Sequence, residues 1–139
     1  MTSRVTLHEL QALLDEHAFI RYYAPRVTTA EDGCVRMVIP YREDFLRPGG
    51  AVNGPLFMFA GDVGMWLAMM TLTGLEPLAV TIEMKTMFMN AAREPVDIVC
   101  DTRILKLGRR VVFGMAECGN GAGRMYAHST ITYARGVAG

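Results

Sequence analysis

Residues 51–73 read AVNGPLFMFAGDVGMWLAMMTLT, and Asp62 is the one charged side chain between Arg47 and Glu76. An apolar run of about 20 residues is long enough to cross a bilayer. It can equally be a helix sealed inside a folded domain. Asp62 would then lie near mid-bilayer in the first case, and the Lys/Arg flanks that orient a single span are weak on the C-terminal side. Burial in a soluble protein is the expectation. Pro55 suits a first helical turn with Asn53 or Gly54 as the cap, and Gly74 with Pro77 marks the stop. A helix apolar on nearly every side has to be wrapped by something else.

The flanking sequence supplies the wrapping. Val5 to His17 places Leu7, Leu10, Leu13 and Leu14 on one helical face. Phe19 to Thr29 reads as a strand interrupted by Pro25, and Glu31-Asp32-Gly33 as a turn into a strand from Cys34 to Ile39. YREDFLRPGG, residues 41–50, reads as a loop. After the long helix, Leu78 to Met89 alternates, with Thr81, Glu83 and Lys85 on one side and Val80, Ile82 and Met84 on the other. Val96 to Leu105 and Arg110 to Cys118 pair around Lys106-Leu107-Gly108-Arg109. Gly119-Asn120-Gly121 turns the chain into a last strand from Arg124 to Tyr133. The expected order is helix, two strands, long helix and four strands in a meander. A curved antiparallel sheet enclosing the helix is the economical solution, and the helix's second face calls for a further partner, which suggests a dimer.

Composition narrows the partners. The 139 residues are 51% hydrophobic and 20% charged, with 14 Lys+Arg against 14 Asp+Glu and no block of like charge. A nucleic-acid binder should carry a basic stripe and an electrostatic membrane binder a polybasic segment. A small molecule, a second copy of the chain, or both are the expected partners. Cys34, Cys100 and Cys118 are scattered, without metal-ligand spacing or an even count, so no metal, cofactor or disulfide framework is expected and a reducing cytoplasm fits.

Asp62 is the group that asks for a function. At helical spacing Met58, Phe59, Met65 and Trp66 surround it, so the sequence sets a carboxylate among sulfur and aromatic surfaces. An Asp hydrogen-bonded to a neighbouring strand purely for packing is the bland alternative. The functional one is a general base on water or a direct nucleophile on an activated acyl group. Either route needs donors for a developing oxyanion, and the free N–H groups at the start of the same helix, near Gly54, can provide them. Gly54 lies eight residues before Asp62, about 12 Å along a helix axis. A site using both therefore combines Asp62 of one chain with Gly54 of another.

The element order, together with NGPLFMFAGDVGMW, AVTIEMKTMFM and RILKLGRRVVFGMAE, resembles the hotdog-fold acyl-CoA thioesterases of the phenylacetate-pathway, PaaI-like type. The resemblance implies an α+β hotdog domain over residues 1–139, a curved antiparallel sheet around a central helix with a short N-terminal helix. It implies hydrolysis of an acyl-CoA thioester, with Asp62 catalytic, the Gly54 N–H in the oxyanion hole and Thr81 positioning water or carboxylate. It also implies a homodimer, or a dimer of dimers, with sites at the subunit interface. The family usually reads His-Gly-Gly at the helix start, where this chain has Asn53-Gly54-Pro55. Asn53 is thus a helix cap or a donor to the thioester carbonyl.

Further candidates follow from that reading. Phe57, Met58, Phe59 and Trp66 are candidates to line an acyl pocket for an aryl or medium aliphatic group. Lys106, Arg109, Arg110 and Arg47 are candidates to meet the coenzyme's phosphates, or are simply solvated turn residues. Two rivals remain: a non-catalytic acyl-CoA-binding dimer, favoured by the missing His, and a hotdog hydratase or dehydratase. The second pairs a carboxylate with a His, and all three histidines lie far from Asp62 in sequence.

Overall fold

The computed structural model describes residues 2–136. Chain entry is a capped helix, α1 (Leu7–Glu16), in which the Thr6 side chain accepts from the Glu9 N–H while Glu9 reaches back to the Thr6 N–H. That reciprocal box satisfies two otherwise orphaned donors. Leu10 and Leu14 are its buried face. A single further turn, α2 (Ala18–Arg21), follows where the sequence suggests a strand. Only β1 (Arg26–Glu31), beyond Pro25, is extended. The aromatic and branched residues that look like strand formers instead bury Ile20 as a helical turn, so tertiary packing overrides local propensity.

β2 (Cys34–Ile39) pairs antiparallel with β1. Gly33 turns between them at φ +80°, and its N–H donates to the Thr71 hydroxyl at 2.8 Å. The segment expected as a loop contains one 3-10 turn (Glu43–Phe45) and a two-residue hairpin, β3 (Leu46–Arg47) with β4 (Ala51–Val52). The hairpin closes through Gly49 and Gly50, both at positive φ.

The long apolar segment is one helix, α3 (Gly54–Thr73). The fold buries 72% of its most apolar window, so its length and hydropathy are met by protein packing. β5 (Val80–Phe88), β6 (Ile98–Leu107), β7 (Val111–Gly119) and β8 (Met125–Ala134) complete a six-stranded sheet in the order β1-β2-β6-β7-β8-β5. The four late strands are not a simple meander. β6, β7 and β8 are, but β5 crosses to the far edge and pairs with β8. The reason is the helix: α3 touches β2, β5, β6, β7 and β8, and a sheet can reach that much of its circumference only by curving β5 around the far side.

This is the hotdog arrangement, and its interior is Leu10, Met37, Ile39, Leu56, Met65, Leu67, Met69, Ile98 and Ile131, all essentially inaccessible. Each such side chain contributes roughly 2 kcal/mol on burial. Cys100 and Cys118 face each other across β6 and β7, both buried and both free. The Cys100 contact and burial push the Cys118 thiol well up, which keeps it inert.

Close helix–sheet contact rests on small residues. A Cβ at Gly114 would meet Met65 Sδ at 2.6 Å and the Arg103 carbonyl oxygen at 2.8 Å. The methionine can yield, but the β6 backbone cannot move without opening the ladder. Gly114→Ala is expected to lower stability by about 2 kcal/mol through overpacking, read as a lower urea midpoint with an unchanged m-value.

Candidate functional site

Along α3, Pro55, Met58, Phe59, Asp62 and Trp66 make the stripe that the sheet leaves partly uncovered, and Asp62 lies in its middle. Met65, which the sequence places beside the carboxylate, points the other way and is fully buried against Gly114. The carboxylate's true neighbours come from two strands. Thr81 on β5 donates its hydroxyl to Asp62 Oδ1. The Tyr133 hydroxyl on β8 donates to the same Oδ1 and to the Asp62 main-chain oxygen, each at 2.9 Å. Asp62 is therefore not set among sulfur and aromatic surfaces alone. It is half-buried, and hydroxyl donors replace the water it has lost.

Thr81 reaches Asp62 because of a bulge. Thr81 and Tyr133 are register partners, the next pair is Glu83 with Thr132, and Ile82 has no partner. The extra residue reverses the alternation, so Thr81 shares the helix-facing side with Met84 and Thr86, not with Glu83 and Lys85. Strict alternation predicts the opposite grouping. Bulges commonly re-aim a side chain beside a site.

Tyr133 escapes a reading of the sequence because it is one more inward position on an alternating strand. Burial, then the Asp62 charge, push its phenol far above the ordinary value, so it remains a donor throughout the working pH range.

Asp62, Thr81 and Tyr133 border a cavity of about 420 Å³ whose apolar wall includes Phe19, Ile20, Trp66 and Ala79. Trp66 is fixed by its Nε1–H donating to the Pro77 carbonyl at 3.1 Å. His17 also lines this cavity, 6.3 Å edge-on from the Trp66 ring. Forty-five residues of sequence separate it from Asp62, and the α1–α2 turn closes the gap.

The N-terminal end of α3 has a different character. Pro55 has no N–H, and the Leu56 N–H is taken by Asn53 Oδ1 at 2.9 Å. Among the described residues nothing accepts from the N–H of Gly54, the first helical residue, so it carries the free donor of that turn. Asn53 is the helix cap, and its Nδ2 also donates to the Phe45 carbonyl at 2.8 Å. Gly54 borders a second cavity of about 500 Å³, with Phe57 and Phe88 on its wall and Arg47 and Arg93 on its rim. Arg93, not singled out by the sequence, is held by the Gly49 carbonyl at 2.8 Å. Gly54 and Asp62 thus border different cavities.

The remaining candidates are dispersed. Phe57 is buried against Tyr126, Phe59 stacks on Tyr23 with centroids 4.0 Å apart, and Met58 is 39% exposed. Only Trp66 of that apolar quartet joins the Asp62 cavity, so the four do not form one acyl pocket within a single chain. Lys106, Arg109 and Arg110 ring a separate cleft of about 350 Å³ with Val111 and Phe113 on the outer hairpin.

The profile described as "Thioesterase superfamily" matches residues 49–127, which include Gly54, Asp62 and Thr81. The chain belongs to the thioesterase superfamily. A candidate esterase of Halobacterium salinarum is 28% identical over 114 residues, 78% of this chain and 72% of that protein. A candidate thioesterase from Silicibacter sp. TM1040 superposes with TM-score 0.85 and 29% identity, over 97% of this chain and 94% of that one. Zebrafish thioesterase superfamily member 2 gives TM-score 0.81 at 25% identity, over 97% and 98%. Membership and these relatives support thioester hydrolysis as the general chemistry of the protein.

The Asn53 contacts make a separable prediction. Asn53→Asp keeps the cap acceptor but loses the donor to Phe45, whereas Asn53→Ala loses both. Thermal denaturation should place the wild type highest and the alanine variant lowest, with the cap alone worth about 1 kcal/mol.

Proposed function

We propose that the protein hydrolyses acyl-CoA thioesters to a free acid and coenzyme A, using Asp62 of one subunit and the Gly54 N–H of a partner subunit on one substrate. The observation that carries this is the division of the machinery between two cavities, one at the start and one at the middle of the same helix. One acyl carbon cannot touch both within a chain, so a second copy has to bring them together.

A homodimer through β5 fits. That strand is the sheet's edge, and its Val80 and Ile82 are each 57% exposed. Hydrophobic edges of this kind are usually covered. A dimer of dimers is the further assembly implied by the PaaI-like resemblance, and the cytoplasm is the compartment that fits free thiols and a coenzyme A substrate.

In this reading the thioester oxygen accepts from Gly54 of the partner subunit, with the α3 dipole behind that donor stabilising the oxyanion. Asp62 has two routes. As a base it takes a proton from water while the water oxygen bonds to the acyl carbon, and collapse of the adduct expels the thiolate, which takes up that proton. As a nucleophile it forms an acyl-aspartyl anhydride with loss of thiolate, and water then cleaves it. Arg47 and Arg93 at the Gly54 mouth, and Lys106, Arg109 and Arg110 on the outer hairpin, are the cationic groups available to the coenzyme's phosphates.

Thiol release from a panel of acyl-CoAs is the test. Asp62→Asn should lower turnover at least 100-fold, and equal rates in variant and wild type would sink the mechanism. Tight acyl-CoA binding without turnover by the wild type would instead establish a binding protein. Mixing inactive Asp62→Asn and Gly54→Val chains should restore activity as hybrids form, because one of the two interface sites is then intact. No recovery under demonstrated subunit exchange rejects the shared site.

A second reading, hydration or dehydration of an acyl-CoA, gains one observation: His17 lines the same cavity as Asp62, although the sequence keeps the two far apart. It predicts loss of the conjugated chromophore when an enoyl-CoA is incubated with the protein, and His17→Gln should abolish that loss. Thiol release without any change in the enoyl chromophore decides against it.

A further inference from the structure

We propose that Tyr133 is a positioning residue for Asp62, pinning Oδ1 so that Oδ2 alone is presented to the reacting atoms. The proposal rests on the thioesterase reading for the reaction concerned, but not for the geometry.

Three observations carry it. First, Asp62 is held through one oxygen. The Thr81 and Tyr133 hydroxyls both converge on Oδ1, and no protein donor among the described residues reaches Oδ2. Second, Tyr133 grips the residue at two points. Its hydroxyl lies 2.9 Å from Oδ1 and 2.9 Å from the Asp62 main-chain oxygen, so one proton is shared between the side chain and the backbone of the same residue. That bridge fixes the carboxylate's rotation relative to the helix, which a single bond from Thr81 would not do. Third, the anchor is rigid. Tyr133 is buried, is paired on one side with Thr81 and on the other with Val112, and sits on β8 between two neighbouring strands. Thr81, by contrast, stands at a bulge on the edge strand.

The chemical consequence is a division of labour within one carboxylate. An oxygen accepting two hydroxyl bonds has its lone-pair density committed and is the poorer base. Oδ2 keeps its lone pairs for a water proton in the base route, or for the acyl carbon in the nucleophilic one. A fixed plane also contributes orientation, to which catalysis by a lone carboxylate is sensitive.

The hydrogen bonds that the Asp62 carboxylate accepts can be read directly. In protein labelled with ¹³C at aspartate carboxyls, Asp62→Asn identifies the Asp62 resonance, whose position reports those bonds.

Tyr133→Phe is expected to move that resonance, and to lower kcat roughly tenfold with KM within a factor of two. 3-Fluorotyrosine at position 133 keeps the ring and strengthens the donor, and should move the resonance the opposite way, providing an arm that does not depend on tolerance of phenylalanine. A residue that merely packs would change melting temperature and leave the Asp62 resonance where it was. That result, with unchanged kcat, overturns the proposal. If wild-type protein releases no thiol from any acyl-CoA, the reaction assignment fails while the resonance still decides whether Tyr133 holds Asp62.

Discussion

Nearly every feature of the molecule depends on enclosing α3. A 20-residue helix of this composition has no polar face to give to water, so the sheet must curve until it touches the helix on most of its sides. That demand draws β5 away from its sequence neighbour β6 and places it beyond β8. It also explains the glycine at position 114, where Met65 and the β6 backbone leave no room for a methyl group. The capped N-terminal helix and the helical turn after it close one end by burying Leu10, Leu14 and Ile20 against the same interior.

The enclosure is incomplete along one stripe, and the chemistry sits there. Met58, Phe59, Asp62 and Trp66 follow one another at three- and four-residue intervals on the uncovered side. A carboxylate on the covered side would have met Met65, Leu67 and Ala68 and been left without donors. On the stripe it meets two hydroxyls and a cavity. The exposed apolar edge of β5 flanks the same opening, so the part of the helix that needs a cover and the strand that needs a partner lie together.

Helix termini and helix middle divide two tasks. The first turn of α3 leaves one unclaimed N–H, at Gly54, because proline removes the second and the Asn53 cap takes the third. Asn53 thus has a visible structural role beyond capping, since its amide also ties the turn to the Phe45 carbonyl. The middle of the helix supplies the carboxylate, steadied from the sheet. Burial keeps Tyr133 protonated, and an edge-strand bulge brings Thr81 round to the same oxygen.

How much of this was legible beforehand depended on whether a feature is local. α3 with its Asn53 cap and Gly74 stop, the strand from Cys34 to Ile39, the Gly33 turn and the singular position of Asp62 all follow from residues within one or two turns of each other, where propensity and periodicity act. The α+β class follows because an all-apolar helix and alternating strands have few ways to cover each other. What tertiary structure decided is whatever requires two distant segments to meet. Strand order, the helical turn at residues 18–21, the regrouping of Thr81 by a bulge, the dispersal of Phe57, Met58 and Phe59, the arrival of Tyr133 beside Asp62 and that of His17 on the same cavity are of this kind. The sequence determined that a lone carboxylate would sit in an apolar helix. Only folding decided which donors would reach it, because hydrogen-bond partners are chosen by packing across the sheet and not by proximity along the chain.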